Sequence, residues 1–324
     1  MNLDSKRDVV FGAGPVGLGV SEHLARMGHD VVLATRSGRT TLPGTTGAAA
    51  DLTRAEEVRE LARGAAAIYL CASPPYDRWA SEFVPMIESV AAGVEGSEAP
   101  IVFADNLYAY GPPDAPMTER TAERPSTVKG RVRQQVAARL LALRTSQGPR
   151  VAIARASDFY GPRVVSSSIG SRVFEAVARG KGAPVVGNID VPHSYTYIDD
   201  FVRGMVTLGG RREALGEVWH IPSAAPTTRE MVAMIAAEYG TASRFMVASR
   251  FLVTMMALVN PTMRELKEML YQFERPFVVD GSRFATAFGV GSTPLQEGIR
   301  ATVAWLRSQQ RTGAPLSAAA STRP

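Results

Sequence analysis

The chain has 324 residues, 45% hydrophobic and 21% charged, with one cysteine, four histidines and a net charge of +5. That length sets a prior of about two domains with cores large enough to fold without staples. The single Cys71 excludes an internal disulfide framework and a multi-cysteine metal site, so no metal is expected. The start lacks the apolar core and cleavage site of a signal peptide, and no run is long enough to span a membrane, so a cytoplasmic protein without a membrane partner is expected. The arginines are scattered rather than gathered into a basic stripe with interleaved aromatics, which argues against a nucleic-acid partner.

In chain order, Asp8-Val9-Val10-Phe11 reads as a buried strand. A helix follows with Val16, Val20, Leu24 and Met27 in an apolar stripe, and Gly28 marks its stop. Val31–Ala34, Ala67–Leu70, Ile101–Phe103 and Val151–Ala154 read as further strands. Between them lie helical stretches at 54–63, around Trp79, Phe83, Met86 and Val90 with Pro85 as a kink or late start, and at 129–143. Apolar strands alternating with helices predict a doubly wound parallel α/β sheet covered on both faces. Later elements are a short helix at 171–179, a strand end running into a helix over 195–208, a strand at 217–221 and a helix at 228–239. The expected domains are 1–165 with 195–223 returning to it, and a smaller α/β domain from 166–194 and 224–310. A disordered tail is expected over 311–324, which is rich in Ala, Ser, Thr and Pro.

Gly12-Ala13-Gly14-Pro15-Val16-Gly17 is a G-x-G-x-x-G pattern between a strand and a helix, the context of a dinucleotide-binding turn. The first glycine permits the turn, the second admits a pyrophosphate, and the third lets the helix pack on the sheet. A carboxylate at the end of the second strand would bind the ribose of NADH; here stand Thr35, Arg36, Ser37, Gly38 and Arg39. Arginine binds phosphate bidentately, so the pattern points to NADPH, with NADH the alternative.

From residue 8 to about 307 the sequence resembles the extended short-chain dehydrogenase/reductase superfamily, the NAD-dependent epimerase/dehydratase group. The stretches that carry the likeness are Asp51-Leu52, Leu70-Cys71-Ala72-Ser73, Ile101 to Gly111, Arg155 to Pro162 with its Tyr-Gly-Pro ending, and Tyr197-Ile198-Asp199-Asp200. The resemblance implies a Rossmann domain, a smaller C-terminal substrate domain, and often a homodimer. It implies that Asp51, Leu52, Ala72 and Ser73 line the cofactor and that Phe159 and Tyr160 lie on the substrate side.

The family triad of Tyr, a Lys four residues later, and Ser or Thr is absent. Asn106 occupies the hydroxyl position. Counted from Pro125, Lys129 falls at the Tyr position and Arg133 at the Lys position; a second register puts Lys129 at the Lys position and Pro125 at the Tyr position. Lys129, Asn106 and Tyr108 are the candidate catalytic residues, with Lys129 also a candidate for the nicotinamide ribose. Arg131 and Arg133, at helical spacing, read as a solvated face. His193 stands where sugar-nucleotide members carry an arginine, which makes His193, Ser194 and Tyr195 candidate substrate contacts. This pattern resembles atypical, triad-less members, among them ketoreductases of polyketide antibiotics. An NADPH-dependent ketoreductase of a large apolar small molecule is expected; a sugar-nucleotide epimerase or dehydratase and a non-catalytic NADP(H) sensor are the alternatives. Met231, Met234, Met246, Met255, Met256, Met263 and Met269, with Phe245, Phe251, Tyr271 and Phe273, are expected mostly in the core, with some tilt towards a flat apolar ligand.

Overall fold

The computed structural model describes residues 7–312. The elements begin with β1 Arg7–Phe11, α1 Pro15–Arg26, β2 Asp30–Thr35, β3 Thr45–Ala49, α2 Ala55–Ala62, β4 Ala65–Leu70, α3 Trp79–Gly93, β5 Ile101–Asn106 and α4 Val128–Leu141. There follow the hairpin β6 Arg144–Thr145 and β7 Gly148–Pro149, β8 Val151–Ala156, β9 Asp158–Tyr160, α5 Ser171–Ala178, β10 Ala183–Val186, β11 Tyr195–Tyr197, α6 Ile198–Gly209 and β12 Val218–His220. The chain continues through α7 Thr228–Tyr239, β13 Phe245–Ala248, α8 Arg250–Met256, α9 Pro261–Met269, α10 Ser282–Phe288 and α11 Leu295–Thr312. Two compact units result. One comprises the chain up to Ala109, Val128–Arg155 and Phe201–Trp219; the other comprises Tyr110–Thr127, Ala156–Asp200 and the chain from His220 onward.

The first unit is a seven-stranded parallel sheet with flanking helices, in the order β12-β8-β5-β4-β1-β2-β3. Val9 pairs with Val32 on one side and Ile68 on the other, and all three are buried. A strand covered on both faces needs a continuous apolar run rather than alternation, which is why these strands are visible in the sequence. The exception is β3, an edge strand with the composition Thr-Thr-Gly-Ala-Ala and only partial burial. It faces neither layer fully and carries no apolar signal. The chain leaves β1 towards β2 and β3, then returns to β4 on the other side. Ligands of open α/β sheets bind outside the strand ends at such a reversal. Helix α3 starts at Trp79 and continues through Pro85 to Gly93.

In the second unit β9 pairs in parallel with β11, and β10 with β13. Helices α5, α7 and α11 close a core that includes Phe174, Met231, Ile235, Ile299 and Val303. The start of α7 is set by a capping box, with Thr227 Oγ1 accepting from Glu230 N at 3.1 Å and Glu230 Oε2 accepting from Thr227 N at 2.8 Å. Gly240 ends it in the left-handed conformation, φ 70°.

Two sequence expectations are corrected. Met231 and Met269 are buried, but Met246, Phe251, Met255 and Met256 are exposed, Phe251 by 75%. Helix α8 has seven residues and buries Val253; Ala257 just after it is buried too, so the larger apolar side chains of this segment lie outward. Arg311 and Thr312, expected in the tail, belong to α11; the rest of that expectation, 313–324, lies outside the described residues. Among the described residues no helix is long and apolar enough to cross a membrane.

Candidate active site

The turn from β1 to α1 is built by what its glycines lack. Gly12 has φ 102°, and a Cβ there would lie 2.9 Å from the backbone of Ala72. A Cβ on Gly17 would lie 1.9 Å from the carbonyl oxygen of Gly12. Both positions therefore exclude any side chain. Gly14 differs: nothing lies within 4 Å of its added Cβ, so its outer side is open. Gly14 is the N-cap of α1, no side chain caps that end, and Pro15 occupies the first turn, where its missing N–H costs nothing. An uncapped helix start with open backbone beside it offers N–H donors and a positive dipole end to an anion. The residues Gly12 to Gly17, Ala13 and Val16 among them, thus fit a dinucleotide's pyrophosphate.

At the end of β2, Thr35 Oγ1 accepts from Gly38 N at 3.1 Å and lies 3.4 Å from Ser37 Oγ, which fixes the turn. Arg36 and Arg39 are exposed, and neither forms an ion pair with a carboxylate among the described residues. Asp51 accepts from Thr53 N and Oγ1 at 2.9 and 2.8 Å. These bonds, helped by the nearby charges of Arg54 and Arg36, hold its carboxyl below the usual range. Leu52 is buried, Ala72 is half-buried and Ser73 exposed.

Asn106, at the end of β5, accepts from Tyr108 N through Oδ1 at 3.1 Å, which leaves the amide Nδ2 as its donor. Tyr108 is half-buried against Trp79, ring centroids 6.2 Å apart. Lys129 opens α4 and is buried, 5% exposed, with Nζ 4.7 Å from the ring centroid of Tyr76. One turn on, Arg133 departs from the expected solvated face, whereas Arg131 is exposed as expected. The Arg133 guanidinium lies over Trp79 at 4.2 Å and Phe83 at 4.8 Å, and donates to Asp105 Oδ1 at 3.2 Å. The other oxygen of Asp105 accepts from Arg155 Nε at 2.8 Å. Asp105 and Arg155 are buried as well. Aromatic faces and one shared carboxylate explain how a guanidinium tolerates the interior, although burial still lowers its pKa from the ordinary value. The sequence reading did not single out Asp105 or Tyr76 and did not foresee the burial of Arg133. The signal for the first was a charged residue in an otherwise apolar strand, with Arg155 as a second such residue on the neighbouring strand.

In the second unit, Phe159 is half-buried, while Tyr160, His193, Ser194 and Tyr195 are buried. Tyr195 Oη bonds Thr228 Oγ1 at 2.7 Å, and Ser194 Oγ accepts from Val279 N at 3.0 Å. Burial raises the phenol pKa of both Tyr160 and Tyr195. His193 Nδ1 faces the carbonyl of Gln272 at 3.1 Å, so it donates there; Nε2 faces Asp158 Oδ2 at 2.8 Å. Its ring is stacked on Phe273 and Phe277. Both nitrogens of His193 are thereby committed. His220 is fixed similarly, with Nδ1 facing the Asp280 carbonyl, so Nε2 accepts from Tyr110 Oη at 2.7 Å.

The reversal point in a parallel sheet and the glycine turn that meets it define a Rossmann-type dinucleotide-binding protein. The model of the NAD dependent epimerase/dehydratase family matches residues 9–221, well over half of the chain, and the protein belongs to that family. Its members are NAD-dependent oxidoreductase, epimerase and dehydratase enzymes. Among curated protein sequences none matches. Among solved structures, the chain is similar to UDP-glucuronic acid 4-epimerase from Bacillus cereus in complex with UDP-glucuronic acid and NAD, at 16% identity and TM-score 0.75 over 93% of this chain and 99% of that one. It is also similar to dTDP-glucose 4,6-dehydratase from Bacillus anthracis in complex with NAD, at 15% identity and TM-score 0.76 over 96% and 100%. A third is MoeE5 in complex with UDP-glucuronic acid and NAD, at 18% identity and TM-score 0.74 over 94% and 99%. At these identities the likeness speaks to the fold.

Proposed function

We propose that the protein is an NADPH-dependent ketoreductase acting on a ketone of a large, mostly apolar metabolite, with aromatic polyketides the favoured class. The observation that carries this reading is Lys129, buried at the start of α4, where one register of the family pattern puts its tyrosine and the other its lysine, with a tyrosine in neither. An epimerase must take a proton and give it back through one group, whereas a reductase needs supply in one direction only. A lysine ammonium donates and polarises but accepts nothing until it is deprotonated. When bound, reduced nicotinamide supplies the hydride. The chain's own part is to hold the nucleotide on the open backbone around Gly14, to place Arg36 and Arg39 for a 2′-phosphate, and to stabilise the developing alkoxide with Lys129 and the Asn106 amide. His193 supports the same reading: it replaces a diphosphate-binding arginine and is spent on Asp158 and Gln272.

A sugar-nucleotide epimerase or dehydratase is the second reading, favoured by family membership and by the UDP-glucuronic acid bound to two of the similar structures. One experiment separates them. The purified protein is offered NADPH with a panel of polycyclic aromatic ketones, and separately UDP- and dTDP-sugars with NAD. Ketone-dependent NADPH consumption without sugar conversion is expected; sugar turnover contradicts the proposal, and nucleotide binding with no turnover of either panel points to a sensor.

A further inference from the structure

We propose that Tyr76, a phenol outside the family's catalytic helix, is the proton donor of this reductase, with Lys129 as its cationic partner. The family places phenol and ammonium on one helix, four residues apart. Here the ammonium sits at the start of α4, and the phenol it covers comes from the loop after β4, with Nζ 4.7 Å from the ring centroid. The inference rests on the reductase reading above.

Three observations support it. The first is placement. Ala72, four residues before Tyr76, presses its backbone on the side of Gly12 that a Cβ would fill. The loop that carries Tyr76 therefore leaves the sheet at the glycine turn. The second is order and access. Trp79 Nε1 donates to the Pro74 carbonyl at 3.1 Å, and Tyr76 meets the Trp79 ring edge-on at 4.9 Å, which holds the loop. Tyr76 is nevertheless 38% exposed, while Tyr69 and Tyr110 are buried and Tyr108 is packed against Trp79. The third is charge. The Lys129 ammonium lies over the ring, and a cation there favours the phenolate left when a proton departs.

The step balances. Bound reduced nicotinamide would supply the hydride for the new C–H bond at the carbonyl carbon, the carbonyl π pair would move to oxygen, and Tyr76 would give that oxygen its proton. Water returns a proton to the phenolate through its exposed side.

The test uses Tyr76→Phe, which keeps the ring and its packing on Trp79. Turnover of a ketone substrate should fall about 100-fold, the lower end of general-acid contributions, while NADPH affinity by fluorescence titration stays unchanged. Independently of activity, N-acetylimidazole should acetylate Tyr76 in the free protein, and saturating NADPH should protect it, read by peptide mass spectrometry. Full turnover by Tyr76→Phe, a loss confined to Tyr108→Phe, or acetylation indifferent to NADPH would each overturn the assignment. A wild-type protein that reduces no ketone instead sinks the reductase reading, and the protection readout still decides whether Tyr76 faces the nucleotide.

Discussion

Two turns of the first unit invite comparison. Between β1 and α1, the proposed function rests on missing side chains: Gly12 and Gly17 have no room for a Cβ, and nothing lies within 4 Å of one at Gly14. At the start of α4, the proposed function rests on charge, and two buried side chains one helical turn apart meet different partners. Lys129 faces a partly exposed phenol, while Arg133 is sunk among Trp79, Phe83 and Asp105. A steric constraint is local and written in the spacing of glycines. An electrostatic one depends on partners far along the chain, and identical spacing says nothing about it.

The largest effect that tests this contrast is at Asp105. Asp105→Ala leaves two buried guanidiniums without their shared carboxylate, and should cost about 3–5 kcal/mol in a urea denaturation. An unchanged midpoint would mean that the cluster is hydrated rather than buried. Next comes the glycine pair. Gly17→Ala forces a Cβ onto a backbone carbonyl and should cost at least the upper end of the roughly 1–3 kcal/mol seen for overpacking. Gly14→Ala meets nothing in the protein, so its melting temperature should match the wild type while NADPH binding weakens. If both variants lost stability alike, Gly14 would be structural and the open side of the turn would have no ligand role.

A smaller change sharpens the second turn. Lys129→Ala should lower ketone turnover by more than about ten-fold and leave the fold intact, since a largely desolvated ammonium over the ring of Tyr76 stabilises the protein by about 2 kcal/mol. A variant that unfolds instead would place Lys129 with Arg133 as a structural cation. The mildest is Arg36→Ala, which removes a partner of the proposed 2′-phosphate. NADPH affinity should fall at least about ten-fold, the lower end of a charged hydrogen bond worth about 1.5–3 kcal/mol, with NADH affinity unmoved. Equal losses for both nucleotides would remove the basis for preferring NADPH.

The same contrast explains how much could be read from residues alone. Strands buried on both faces announce themselves as apolar runs, and β1, β2, β4, β5 and β8 were legible for that reason; the edge strand β3 was not, because an edge needs no such run. The helix at 228–239 was legible, and its start is fixed by a capping box confined to four residues, Thr227 to Glu230. Helix α8 misled: methionines and a phenylalanine at helical spacing look like core, yet the helix is too short to turn more than one small face inward. In the site, the steric part of the glycine turn was legible, since Gly12 and Gly17 have no room for a Cβ. Arg133 was not, because its burial is decided by Asp105 on β5 and Trp79 on α3, and Tyr76 was hidden in a loop after Pro74 and Pro75 that no periodicity describes.

The most direct test is a fluorescence titration of NADPH and NADH against the wild-type protein and Gly14→Ala, with melting curves on the same samples. Saturable binding of NADPH, tighter than that of NADH and weakened in Gly14→Ala without a change in melting temperature, is the predicted result. A protein that melts cooperatively yet responds to neither nucleotide contradicts the account at its root.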